Sequence, residues 1–295
     1  MNSKRGRGPK PAHSGAAQLH SHRRGGDCRQ CEVSVTASSS TETIATTGEV
    51  GPDLVRFEPG KEDIRELKRL VRRGGRTRNE QFDSDLHLNE IIPKPWGYEY
   101  RAYVDDFFDC WALHIDAPHG TSVHVHPRKL TYLLCLGGQG ITAGLREEVP
   151  VRAGTILRIA GGAFHGTRNT GDEPLELIEI EVPRNKFDLL RLRDDYERTG
   201  KAYESEAIER PEHPMQRVPQ QANAHLRAST PDGRFGFEIR TGMDVFYRRR
   251  PTDLFYVPLC ISGVVRLDVE ILTNTTREVV RPDVELPYLC ISRRG

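Results

Sequence analysis

Apolar positions along this chain follow two different periods. Between residues 61 and 73, Ile64, Leu67, Leu70 and Val71 recur at helical spacing among Lys, Arg and Glu. This predicts one amphipathic, basic helix packed on the rest of the fold by its apolar stripe. From about residue 95 the period shortens to that of strands. Segments 98–104, 110–115, 121–126, 131–136, 140–145, 155–160 and 175–182 are short and rich in branched or aromatic residues. Gly137-Gly138, Ala153-Gly154 and Gly161-Gly162 punctuate them as turns. Many short strands at this spacing predict an all-β sandwich or closed barrel. A helical segment is expected over 186–197. A second, smaller β unit is expected from strand-like segments at 235–240, 254–260, 264–272, 277–280 and 286–291.

The flanks are less ordered in pattern. Residues 1–50 hold few large apolar side chains and much Gly, Ser, Thr, Arg and Ala. Such a stretch buries too little surface to offset its ordering entropy, so a disordered tail is expected. Residues 51–90 are read as the helix with a polar connection after it. Residues 91–205 form the main β domain, 206–223 a Pro/Gln/Asn linker, and 224–295 the second β unit, which carries His225 but no paired histidines.

Composition narrows the function classes. There are 43 Lys and Arg against 42 Asp and Glu, a formal net charge of +1. That balance supplies no global field for nucleic acid or an anionic membrane. No apolar run approaches a membrane span, and the basic N-terminus lacks the apolar stretch of a secretory signal, so a cytoplasmic protein is expected. Four of the six cysteines, Cys110, Cys135, Cys260 and Cys290, sit singly in apolar segments, as buried free thiols do. Cys28 and Cys31 have C-x-x-C spacing with His20 and His22 upstream. No apolar core surrounds them and no second pair follows, so no zinc site is expected there.

Histidine placement carries the chemistry. In Gly120-Thr-Ser-Val-His124-Val-His126, residues two apart on a strand share a face, so His124 and His126 project together and can share one first-row metal. The second stretch runs Gly154 to Asn169: a strand, a Gly161-Gly162 turn, and a returning strand that carries His165 back beside the first pair. The bland alternative is three histidines satisfied within a sandwich core.

These stretches resemble the paired motifs of the cupin superfamily. In the second motif (G, five residues, P-x-G, two residues, H, three residues, N), Gly154, Gly162, His165 and Asn169 match, and Ala160 replaces the proline. In the first, three residues rather than five separate Gly120 from His124. The motif glutamate is also missing: its place falls on Thr131, or on Leu130 in the other register. The resemblance implies a cupin double-stranded β-helix, a jelly-roll barrel holding one divalent metal on His124, His126 and His165. The missing carboxylate leaves more positive charge on the ion, which favours an anionic oxygen ligand and leaves its identity open among Zn, Fe, Mn, Ni and Cu, with zinc foremost.

The flanks narrow the resemblance. Lys94-Pro-Trp96-Gly97-Tyr98-Glu99 opens the barrel, and Asp194-Asp195-Tyr196-Glu197-Arg198 follows it. This order is similar to the mannose-6-phosphate isomerase type of sugar-biosynthesis cupin, over about residues 91–204. That family implies aldose–ketose isomerisation of a phosphosugar. Such chemistry needs a Lewis acid, a base that moves a proton between adjacent carbons, and cations that hold an anion. Glu99, Glu179 or Glu181 are the candidate bases. Lys94, Trp96, Thr131, Arg158, Arg168, Tyr196 and Arg198 are the candidate substrate contacts. Structural alternatives stand beside them: Glu179 and Glu181 share a strand face that could meet solvent, Trp96 is a plausible core aromatic, and Arg158 and Arg168 fit surface ion pairs. Three functions follow: a metal-dependent sugar or sugar-phosphate isomerase or epimerase, a three-histidine iron dioxygenase favoured by Thr131, or a non-catalytic sugar-binding or regulatory cupin. A homodimer on a small anionic sugar is the expected assembly and partner.

Overall fold

The computed structural model of the chain describes residues 54–77, 91–104, 108–198, 228–248, 250–259, 271–276 and 281–295. The expected tail, the Cys28/Cys31 pair, the 78–90 connection, the 206–223 linker, His225 and the segments 264–270 and 277–280 lie outside these residues.

In chain order the elements are β1 (Leu54–Phe57), α1 (Lys61–Arg72), β2 (Ile92–Lys94), β3 (Gly97–Val104), β4 (Asp109–Ile115), β5 (Val123–Val125), β6 (Leu130–Gly137), β7 (Gln139–Ala143), β8 (Glu148–Arg152), β9 (Ile156–Ile159), β10 (Phe164–Asn169), β11 (Leu175–Val182) and β12 (Leu190–Arg193). Then come β13 (Ala228–Ser229), β14 (Phe235–Thr241), α2 (Gly242–Tyr247), β15 (Asp253–Pro258), β16 (Leu272–Thr273) and β17 (Pro287–Arg293). Seven strands form one sheet in the order β1-β9-β6-β11-β4-β3-β2, and five form the facing sheet, β12-β5-β10-β7-β8. Between them Trp111, Leu113, Leu133, Cys135, Leu157, Ile159, Leu175 and Leu177 pack as the barrel core. Among the described residues, no helix is long and apolar enough to cross a membrane.

A third sheet, β13-β14-β17-β15-β16, lies against the outer face of the seven-stranded sheet. Phe235, Phe237, Ile239, Phe255, Val257, Leu289 and Ile291 share one apolar cluster with Cys110, Ala112, Tyr132, Leu134, Leu136, Ile178 and Ile180. This explains β11, whose eight residues are buried throughout although its sequence alternates. Leu175, Leu177, Glu179 and Glu181 point into the barrel, while Ile178, Ile180 and Val182 meet the third sheet. The alternation separates two buried faces, not a buried face from a wet one, so Glu179 and Glu181 do not face solvent.

The basic helix α1 covers the outside of the small sheet: Leu67 and Leu70 pack on Val125, Phe164 and Leu190. Ile64 and Val71, expected in the same stripe, are instead 46% and 55% exposed. Asp63 fastens the helix, accepting hydrogen bonds from Gly60 N at 2.9 Å and from Phe164 N, on β10, at 3.0 Å. Preceding the helix, β1 pairs in parallel with β9, a strand that its four residues did not announce. The helix expected over 186–197 is replaced by a turn, strand β12 and a second turn. Its Leu190-Arg191-Leu192-Arg193 repeat has period two, and it pairs antiparallel with β5.

Candidate metal centre

Strand pairing brings the histidines together. His124 on β5 stands directly opposite His165 on β10, and His126 follows β5 by one residue on the same face as His124. The ring centroids are 4.4 Å (124–165), 4.8 Å (124–126) and 5.2 Å (126–165) apart. The turn that returns β10 to β5 places Gly162 at φ +90°, a left-handed conformation that glycine adopts without steric cost. Asn169 locks the far end of β10: its amide donates to Ile115 O and Glu173 O, both at 2.9 Å, and its oxygen accepts from Gly171 N.

Each imidazole is oriented by its Nδ1. His124 Nδ1 lies 2.8 Å from Ser122 O, His126 Nδ1 2.8 Å from Asp188 O, and His165 Nδ1 3.2 Å from Ala163 O. A carbonyl only accepts, so each Nδ1 carries a proton, which in the neutral ring leaves Nε2 with its lone pair. The Nε2 atoms of His126 and His165 are buried without a hydrogen-bond partner. Burial, and then the neighbouring His126, hold His165 down to about 3. Burial, then His165 and His126, likewise hold His124 well below the usual imidazole range. Buried neutral imidazoles with orphaned, converging lone pairs are what a divalent ion requires.

The structure also supplies a carboxylate, from a different strand than the motif glutamate. Glu179 on β11 stands opposite Leu133 on β6. Its Oε1 lies 3.9 Å from His126 Nε2, and the ligand atoms of His124, His126, His165 and Glu179 all fall within 4.8 Å of one another. Three neutral imidazoles and one carboxylate fit a first-row divalent ion. Thr131, at the motif position, turns inward fully buried opposite Glu181 and is not among the residues that line the cleft beside the histidines.

These groups line a cleft that also takes in Lys94, Trp96, Glu99, Ser122, Glu181, Lys186, Arg191 and Arg198. Beneath the histidines its wall is an ion network. Lys186 Nζ lies 2.5 Å from Glu179 Oε2, 3.4 Å from Glu181 Oε1, 3.8 Å from Glu99 Oε1 and 4.5 Å from the Trp111 ring centre. Lys129 Nζ is 2.5 Å from Glu181 Oε1, and Lys94 Nζ is 3.8 Å from Glu99 Oε1. Burial alone would raise Glu179, but Lys186, followed by His126, brings its carboxyl well below the usual range.

Glu99, Glu179, Glu181, Lys94, Trp96 and Arg198 therefore share the cleft with the histidines. Arg198 is held by Asp194, which accepts from its Nη2 at 2.6 Å and from its backbone N at 2.6 Å, so Asp194 rather than Asp195 is the paired acid of the closing segment. Besides Thr131, three expected contacts lie elsewhere. Arg158 projects outward to pair with Glu58 at 2.9 Å, and Arg168 is exposed on the outer face of β10. Tyr196 sits outside the cleft, its hydroxyl 3.2 Å from His119 Nδ1. Lys186, Lys129 and Arg191 escaped sequence reasoning. The alternation Leu190-Arg191-Leu192 was the available signal for Arg191; nothing local marks the two lysines.

A family profile described as "Cupin domain" matches residues 113–181, the stretch that contains all three histidines and Glu179. No curated protein matches the sequence. Among solved structures, a conserved double-stranded β-helix protein from Klebsiella pneumoniae is 19% identical, covering 40% of this chain and 100% of its own, with a TM-score of 0.31. Oxalate decarboxylase from Lactobacillus farciminis is 18% identical over 35% of this chain and 33% of its own, TM-score 0.32. A cupin-superfamily sugar phosphate isomerase from Silicibacter pomeroyi is 14% identical over 33% and 66%, TM-score 0.30. The fold is a cupin double-stranded β-helix, all-β, with an added third sheet.

Proposed function

We propose that this cleft is a metal-dependent isomerase or epimerase site for a small, anionic, hydroxyl-rich molecule, a sugar or sugar phosphate. The observation that carries the reading is the convergence of orphaned Nε2 atoms and the Glu179 carboxylate on one point of a cleft that also presents a separate carboxylate, Glu99, and the cations Lys94 and Arg198. A bound divalent ion would polarise a carbonyl and its neighbouring hydroxyl. Glu99, buried and flanked by Lys94 and Lys186, is the group we assign to proton transfer between adjacent carbons. Lys94 and Arg198 are assigned to the substrate's anionic group. Trp96 covers the apolar side of the cleft and limits access of water.

The dioxygenase reading drew on the absence of a carboxylate ligand at Thr131. Glu179 supplies that charge from the neighbouring strand, which weighs toward proton-transfer chemistry. The test is metal analysis of protein purified without added metal, together with incubation of aldose and ketose phosphates in deuterated water. Tightly held zinc or manganese and carbon-bound deuterium in recovered sugar are expected. Bound iron with oxygen consumption, or full turnover by the His165→Ala protein, would refute the assignment.

A further inference from the structure

Glu179 has two oxygens in different surroundings. Oε1 faces His126 Nε2 at 3.9 Å, while Oε2 is held by Lys186 Nζ at 2.5 Å. Lys186 is itself 6% exposed, fixed over the Trp111 ring and within 4 Å of three carboxylates, so it has little room to leave. An ammonium donates only, and it competes with a metal for the same carboxylate lone pairs. A carboxylate with one oxygen tied in this way offers the other alone.

We infer that Lys186 is the positioning residue of the metal centre: it restricts Glu179 to one ligating oxygen and so keeps a coordination position open for substrate. The inference rests on the metal-site reading above and adds a role for a residue outside the ligand set. It follows from juxtaposition, because β11 supplies Glu179 and the turn just after it supplies Lys186. The arrangement has a distinctive consequence. A residue that merely supported the barrel would, on removal, weaken metal binding. Removing Lys186 instead takes a cation from beside the ion and frees a second ligating oxygen, so binding tightens.

Cobalt(II) is the probe, because its visible bands weaken as coordination number rises. Full-length wild type, Lys186→Met and Lys186→Arg proteins are titrated with cobalt(II), with folding followed by circular dichroism. Lys186→Met should bind cobalt at least about tenfold more tightly, from the lost cation–cation repulsion at short range, and with weaker visible bands. Lys186→Arg, which keeps a donor on Oε2, should retain the wild-type spectrum. Should Lys186→Met fail to fold, the charge-balanced double variant Lys186→Met/Glu181→Gln carries the spectral expectation, weaker visible bands than wild type. Unchanged or weaker cobalt binding in Lys186→Met, or wild-type bands in the double variant, with wild type binding normally, overturns the role of Lys186 and leaves the metal site standing. Wild-type protein that binds no cobalt, zinc or manganese overturns both.

Discussion

Lys129 and Glu181 test whether the charged half of the barrel interior is built as described. Their side chains are 1% and 0% exposed, and Nζ lies 2.5 Å from Oε1. The carboxylate oxygens lack a well-aligned hydrogen bond, so the contact is chiefly ionic. At an effective dielectric of about 20, charges at this distance attract by about 7 kcal/mol, most of it offset by the desolvation of both groups. Lys129→Met removes the attraction but not the buried carboxylate. Lys186, 3.4 Å from the same oxygen, still contributes about 5 kcal/mol on that scale, so compensation is partial. The expected loss of stability is therefore near the lower end of the range for breaking a buried pair, about 3 kcal/mol. In Lys129→Met/Glu181→Leu both charges leave, and Lys186 keeps Glu179 and Glu99 as partners; the cost should fall to about 1 kcal/mol. Urea unfolding followed by the fluorescence of Trp96 and Trp111, both buried in the barrel, reads these values. A single-variant loss below about 1 kcal/mol, or a double-variant loss equal to the sum of the two singles, would refute the reasoning.

Other perturbations address separate parts of the structure. Burial, and then the Glu181 carboxylate, push Asp109 up to about 7. Because the folded chain then holds a proton that the unfolded chain has released, stability should fall as pH rises from about 4 to 7. Asp109→Asn should flatten that slope in urea melts, and an unchanged slope would remove Asp109 as its source. Phe255→Ala, at the centre of the third sheet's contact with the barrel, should cost about 3–5 kcal/mol, measured by denaturation; a loss under about 1 kcal/mol would mean that the third sheet does not cover that face. Gly97 adopts φ +136° with the space for a Cβ blocked by His114 O, so Gly97→Ala should displace β3 and with it Glu99. Crystal or solution structures of that variant with Glu99 unmoved would contradict this.

The candidate metal site was legible locally because its grammar is local. Alternation on one strand puts His124 and His126 on one face, and glycines at Gly154 and Gly162 return the chain so that His165 meets them. The helix over 61–73 was legible for the same reason, since a 3.6-residue period needs no partner to be seen. Other features had no local mark. Leu175-Glu-Leu-Ile-Glu179-Ile-Glu181 reads as a strand with one polar face, and only the third sheet packed on Ile178 and Ile180 turns that face into the barrel interior. Likewise, Thr131 reads as a lost ligand until β11 pairs with β6 and sets Glu179 beside the histidines. Lys129 and Lys186 carry no local mark of their place, which is set when the fold closes them onto buried carboxylates. Periodicity records what a residue does relative to its neighbours in the chain. Burial of charge depends on which distant strand stands opposite, and that is decided only when the sheets close.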